Sequence, residues 1–191
     1  MENLKKIIIF NLVLIFCLTA FFKVKADSAD TKLSLQITGG ELSVTAPEEA
    51  GFIGKSFSFD GQTSADNTIG AVGITDMRGS KAGWSVDITA TDWSDGSKVM
   101  AYNGDGTTTG QLSLDIPTLS TVSTIKGNSA SSLSMGIDDS FDSTTSAIKL
   151  ISALPGDGSG QYEILGLEAD QFIPGNQSAG SYLTKITLTI Q

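Results

Sequence analysis

Trp84-Ser85-Val86-Asp87-Ile88-Thr89-Ala90 is the stretch that decides the fold. Trp84, Val86, Ile88 and Ala90 fall on one side of it, and Ser85, Asp87 and Thr89 on the other. Only an extended strand repeats its side chains with a period of two, so this pattern sets an apolar face towards a core and a hydroxyl-rich face towards water. Working outward, the alternation recurs. Leu33, Leu35 and Ile37 alternate with Ser34, Gln36 and Thr38, and Gly39-Gly40 offers a turn before Leu42 and Val44. Phe57 with Phe59, Val72 with Ile74, and Leu112 with Leu114 and Ile116 follow. Tyr182, Thr184, Ile186, Leu188 and Ile190 close the series. Asp95-Gly96, Asn103-Gly104, Asp105-Gly106, Gly156-Asp157-Gly158 and Pro174-Gly175-Asn176 supply the reversals between strands. Short strands joined by turns predict an all-β, antiparallel sandwich of the immunoglobulin-like, Greek-key type. Residues 66–71 read as loop or strand. Ser129 to Lys149 reads as a long exposed connection, with a short helix around Leu133 to Phe141. The last strand runs to Gln191 and is expected to pair within the domain.

The first 26 residues differ in kind. Lys5 and Lys6 precede an almost wholly apolar run from Ile7 to Phe22, which ends in Val24-Lys25-Ala26 and then Asp27. A charged start, an apolar middle and a small-x-small end make a secretory signal, and the run falls short of the ~20 residues of a membrane span. The expected organisation is a signal peptide over 1–26 and one domain over 27–191, secreted, with no membrane attachment after cleavage. Cys17, the one cysteine, lies inside the signal, preceded by Ile15-Phe16 where a lipoprotein signal wants small residues. The exported chain is therefore expected to carry no disulfide. Taking Lys5, Lys6, Lys23, Lys25 and Glu2 from 12 Lys+Arg and 21 Asp+Glu leaves 8 basic against 20 acidic residues, a net −12. So acidic a surface repels phosphate backbones, which makes nucleic acid a poor partner.

There is no histidine. Ser-His-Asp and Cys-His triads and the usual zinc sites are thereby excluded from the exported chain. Paired carboxylates remain, as in glycosidases, but the Asp and Glu residues lie in Gly- and Ser-rich stretches where they read as turn formers. No catalytic residues and no cofactor are expected. Asp92, Asp95 and Asp105 are weak calcium candidates without a known loop spacing. The aromatics carry more information. Trp84 falls on the apolar face of its strand. Trp93, one residue off that alternation near Asp95-Gly96, reads as partly exposed, with Tyr102 close by. Flat aromatics beside carboxylates and amides suit stacking on sugar rings, so Trp84, Trp93 and Tyr102 are the candidate ligand-binding residues.

The run VGITDMRGSKAGWSVDI over Val72–Ile88 resembles the first motif of the WxL domain of Gram-positive surfaces, where a D-x-R-G turn precedes a Gly-Trp-x-Leu strand. FIPGNQSAGSYLTKITLTI over Phe172–Ile190 is similar to that family's ending. Asp76, Arg78, Gly83, Trp84, Val86, Tyr182, Leu188 and Ile190 carry the resemblance. Val86 replaces the first leucine, and the second Trp-x-Leu reads Leu188-Thr189-Ile190, without its tryptophan. The resemblance implies a non-catalytic cell-surface module that associates non-covalently with cell-wall glycan (peptidoglycan) or with other surface proteins. Composition and pattern alone also leave open a subunit of a surface fibre or layer that assembles by strand-edge pairing.

Overall fold

The computed structural model describes residues 1–19 and 32–191. The chain divides into two compact units, Met1–Ile37 and Thr38–Gln191. In the first, α1 (Glu2–Thr19) is a helix whose side chains from Glu2 to Ile15 are exposed, Leu4, Ile7, Phe10 and Leu12 among them. No helix among the described residues is long and apolar enough to cross a membrane. The cleavage position read at Ala26, with Asp27 after it, lies outside the described residues, as does the side chain of Cys17.

The second unit is an antiparallel β-sandwich. Its first sheet is built from β1 (Leu42–Thr45), β2 (Gln62–Asp76), β6 (Gln111–Asp115), β7 (Val122–Gly127), β9 (Asp139–Ser140) and β11 (Gly160–Ile173). Their order is β1-β2-β11-β6-β9, with β7 beside β11. The second sheet is β12-β3-β10-β8, from β3 (Trp84–Ala90), β8 (Leu133–Met135), β10 (Ile148–Ala153) and β12 (Ile186–Ile190). A small hairpin of β4 (Trp93–Ser94) and β5 (Val99–Met100) stands apart from both sheets. The core lies between the sheets. Val72, Ile74, Leu112, Leu114, Tyr162, Ile164 and Leu167 line the first, and Trp84, Val86, Ile88, Leu150 and Ile151 the second. Except at the register shifts beside Leu150-Ile151 and between Ile164 and Leu167, these are alternate positions of each strand, as the period of two requires.

The two longest strands, β2 and β11, do not run straight. Their register shifts between Ile164 and Leu167, where Leu167 faces Gly70. Gly70 (φ 102°) and Gly166 (φ 79°) take left-handed conformations there that a Cβ would strain. The bulge lets one strand serve two neighbours on the same side. Gly160–Ile164 pairs with β7, and Glu168–Phe172 with β6.

Several sequence expectations are corrected. Leu33, Leu35 and Ile37 form no strand and are exposed. Phe57 and Phe59 lie in an irregular strap, because their apolar faces meet water, and they stack edge-to-face on each other at 5.2 Å. Residues 66–71 resolve to strand. No helix forms at Leu133–Phe141; β8 and β9 occupy it, held to β10 and β6. The final strand begins at Ile186, and Leu183 makes only an isolated bridge to Ser94. Strands β10 and β11 were not foreseen, although β11 is the centre of the first sheet.

Candidate functional site

The motif residues Asp76 to Trp84 form a clasp at the crossing from the first sheet to the second. Asp76 ends β2 with its side chain fully buried, and Arg78 closes on it. Arg78 Nε donates to Asp76 Oδ1 at 3.0 Å and Nη2 to Oδ2 at 3.1 Å, while its backbone N–H also donates to Oδ1 at 3.1 Å. Nη2 reaches on to the Gly83 carbonyl at 2.8 Å and so pins both ends of the connecting loop. The Arg78 bonds hold the Asp76 carboxyl below its ordinary range against the opposing effect of burial, and Asp76 raises the Arg78 guanidinium in turn. Next in chain, the Trp84 indole is 5% exposed, donates to the Gly158 carbonyl at 3.0 Å and lies 6.2 Å from the Tyr162 ring. Gly158 (φ 75°) must be glycine: a Cβ there would stand 2.6 Å from Trp84 Nε1. Trp84 therefore has no face free for a ligand, and Val86 is fully buried beside it. These residues hold the core.

At the opposite end of β2, a groove of about 370 Å³ opens between a strap, residues 52–58, and the loop 174–182. Buried polar side chains hold the strap down. Ile53 N–H donates to Asn67 Oδ1 and Ser64 Oγ donates to the Ile53 carbonyl, both at 2.7 Å. Gln62 Nε2 donates to the Ser56 carbonyl at 2.7 Å, and Asn176 N–H to that of Ser58 at 2.9 Å. In the facing loop, Tyr182 Oη donates to the Ser178 carbonyl and accepts from Gln177 Nε2, each at 2.8 Å. Trp93 lies at the floor. Its Nε1 donates to Gln171 Oε1 at 2.7 Å, and Phe52 meets it edge-on at 4.9 Å. Four aromatic rings (Phe52, Phe57, Trp93 and Tyr182), three glutamines and several serines share this lining, which contains one charge, Lys55, and no carboxylate. In so acidic a chain that is a marked local departure.

Of the predicted ligand-binding residues, the groove takes only Trp93, and Trp93 is 7% exposed, against the expectation of partial exposure. Phe52 and Gln171 cover it. Tyr102 packs at 5.4 Å on Phe141 and lies outside the groove. Tyr182, placed by sequence in the last strand, is instead a wall of the groove. Phe52, Phe57, Gln62 and Gln177 were missed: the strap has no period, and the Phe57/Phe59 alternation imitates a strand. Leu188 and Ile190 are half-buried on β12, packed against the core.

The calcium candidates do not converge. Asp95 Oδ1 accepts from the N–H groups of Ser97 and Lys98, and these bonds lower its carboxyl. Asp105 accepts from the Thr108 hydroxyl and from the N–H groups of Thr107, Thr108 and Thr109, which depress it strongly. Asp92 accepts from Tyr102 N–H at 3.3 Å. Asp95 and Asp105 each close their own turn, Asp92 ties the two ends of the β4–β5 hairpin, and no group of three metal-ligating side chains occurs among the described residues. Asp115 is raised, by burial first and then by Asp170, Asp138 and Asp66.

Fold and site together define a β-sandwich unit with an aromatic, carboxylate-free groove at an end of its long strands. In comparisons with known proteins, no family model, curated protein or solved structure matches the chain.

Proposed function

We propose that this chain is an exported, non-catalytic cell-surface module that binds wall glycan non-covalently in the groove between residues 52–58 and 174–182. The observation that carries the reading is the lining itself. Sugars present apolar ring faces and hydroxyl edges, and aromatic rings interspersed with amides and hydroxyls answer both. A lining without Asp or Glu lacks the carboxylate pair that glycoside hydrolysis needs, so it favours holding a glycan over cutting one. The signal-like N-terminus and the resemblance of both motifs to WxL domains support the same compartment and partner.

Retention on purified cell-wall sacculi tests it. The chain should pellet with sacculi, and complete recovery in the supernatant would overturn the reading. Phe57, 55% exposed at the groove mouth, gives the sharper test. Phe57→Ala should weaken retention roughly threefold to tenfold, the worth of one aromatic contact, and leave the melting temperature unchanged. Unchanged retention would place the ligand elsewhere.

A further inference from the structure

Leu33, Leu35 and Ile37 are 94, 87 and 87% exposed, and their backbone joins no ladder among the described residues. By pattern this is a strand without a sheet: apolar at alternate positions, uncharged from Leu33 to Gly40 and free of proline. A hairpin through Gly39-Gly40 onto β1 would hide it, but the chain does not turn there. Gly40 N–H donates to the Met77 carbonyl at 2.7 Å, Met77 N–H donates to that of Glu41 at 2.9 Å, and Gly39 lies too close to the Arg78 carbonyl to admit a Cβ. Gly39 and Gly40 thus continue the line of β1 beside Arg78 and Met77.

An acceptor of the same pattern lies in the second unit. β12 ends the second sheet. Bonds from Ser85 to Gln191 and from Thr91 to Lys185 turn the odd-numbered backbone groups towards β3. The N–H and C=O groups of Ile186, Leu188 and Ile190 therefore face the open edge. Their side chains are only half-buried, whereas Val86 and Ile88 opposite them are fully buried. Leu42 and Val44 on neighbouring β1 are half-buried too. Other edges fit less well. β8 and β9 are three and two residues long, and β7 is exposed and polar from Ser123 to Lys126 apart from Ile125. Charge agrees. Residues 32–40 and 182–191 carry one lysine each and no acid, in a chain of net −9 whose copies otherwise repel.

We propose that Leu33–Thr38 of one copy adds as a strand to the free edge of β12 in a second copy. Its apolar row then covers Ile186, Leu188 and Ile190, and the second sheet extends across the two copies. Donor and acceptor are different surfaces, so every copy can give one strand and receive another, and assembly proceeds head to tail. The inference does not rest on the glycan groove.

Light scattering after size-exclusion chromatography tests it on the full chain, as wild type and as Leu35→Asp. Residue 35 is exposed, so the substitution leaves the fold intact, and both proteins share α1. Wild type should grow from one chain towards several as concentration rises, while Leu35→Asp stays at one. An added peptide of residues 32–39 should cap the wild-type growth. Equal growth of both proteins, as association through α1 would give, overturns the proposal; so does a wild type that never exceeds one chain. Amine cross-linking in a mixture of light and isotope-labelled chains locates the contact. Lys32 should join Lys185 between copies, and links from Lys32 to Lys55 or Lys98, at the groove, would overturn the assignment to β12.

Discussion

Trp84→Ala lowers the stability of the sandwich by about 3–5 kcal/mol, the usual cost of deleting a buried tryptophan. The indole fills the space between the start of β3, Tyr162 on β11 and the loop that carries Gly158. Removing it opens a cavity against rigid neighbours and leaves the Gly158 carbonyl without its donor. For a domain of this size the loss corresponds to a fall in melting temperature of roughly 6–20 °C. Urea unfolding followed by circular dichroism is the suitable measurement, because fluorescence would lose one of two reporters. The midpoint should fall with the slope unchanged. Trp93→Ala is expected to cost an amount of the same order, since Trp93 is 7% exposed and leaves Gln171 Oε1 unpaired in a buried site. The partial exposure read from the sequence would instead make Trp93→Ala nearly silent for stability. A melting loss for Trp93→Ala well under that for Trp84→Ala would show that the floor of the groove relaxes around the missing ring.

The strands that could be read from sequence are those whose alternation is unbroken. Trp84–Ala90 and Leu112–Ile116 are visible because each alternate residue is apolar and the partner face is hydroxyl. β11 was not visible, because the Gly166 bulge puts Leu165 and Leu167 out of step and splits one long strand into two short patterns. The opposite error arose at Leu33–Ile37 and Phe57–Phe59. Their alternation is as clean as any in the chain, but a strand needs a ladder as well as a pattern, and neither segment joins one among the described residues. Pattern reports β-competence, and pairing is a long-range property. The groove was hidden for a related reason. Its walls come from residues 52–58 and 174–182, far apart in sequence, and the bonds that bring the strap down start from Ser64 and Asn67, which look like ordinary polar residues of an outer face. The D-x-R-G turn was the converse case. Its residues were conspicuous in sequence, yet only their geometry shows that Arg78 bonds the two ends of one loop.

Arg78→Met is expected to cost about 3 kcal/mol near neutral pH, the lower end of the range for breaking a buried ion pair, because a quarter of the Arg78 side chain is exposed. Methionine keeps most of the stem and removes every guanidinium donor. Asp76, wholly buried, then retains a backbone N–H at 3.1 Å and loses its countercharge. The pH dependence separates charge from packing. In the wild type the Arg78 hydrogen bonds hold the Asp76 carboxyl below its ordinary value. A folded-state value below the unfolded one stabilises the fold above the unfolded pKa of about 3.9, and that contribution is lost as pH falls through the lower folded value. In the variant, burial is opposed only by the backbone N–H bond, the smaller of the two effects, so the folded Asp76 value moves above the unfolded one. Protonation then favours the folded variant. The gap between wild type and variant is therefore widest near neutrality and narrows as pH is lowered past about 4. Asp95, Asp105 and Asp142 are also held low by their turns, so both proteins weaken in acid. Those contributions are common to both and cancel in the difference. Adding Asp76→Asn to Arg78→Met removes the stranded charge and should recover part of the loss at neutral pH. A gap that stays constant across the acid range, with no recovery in the double variant, would show that the stem of Arg78 holds the loop by packing and that its bonds to Asp76 contribute little.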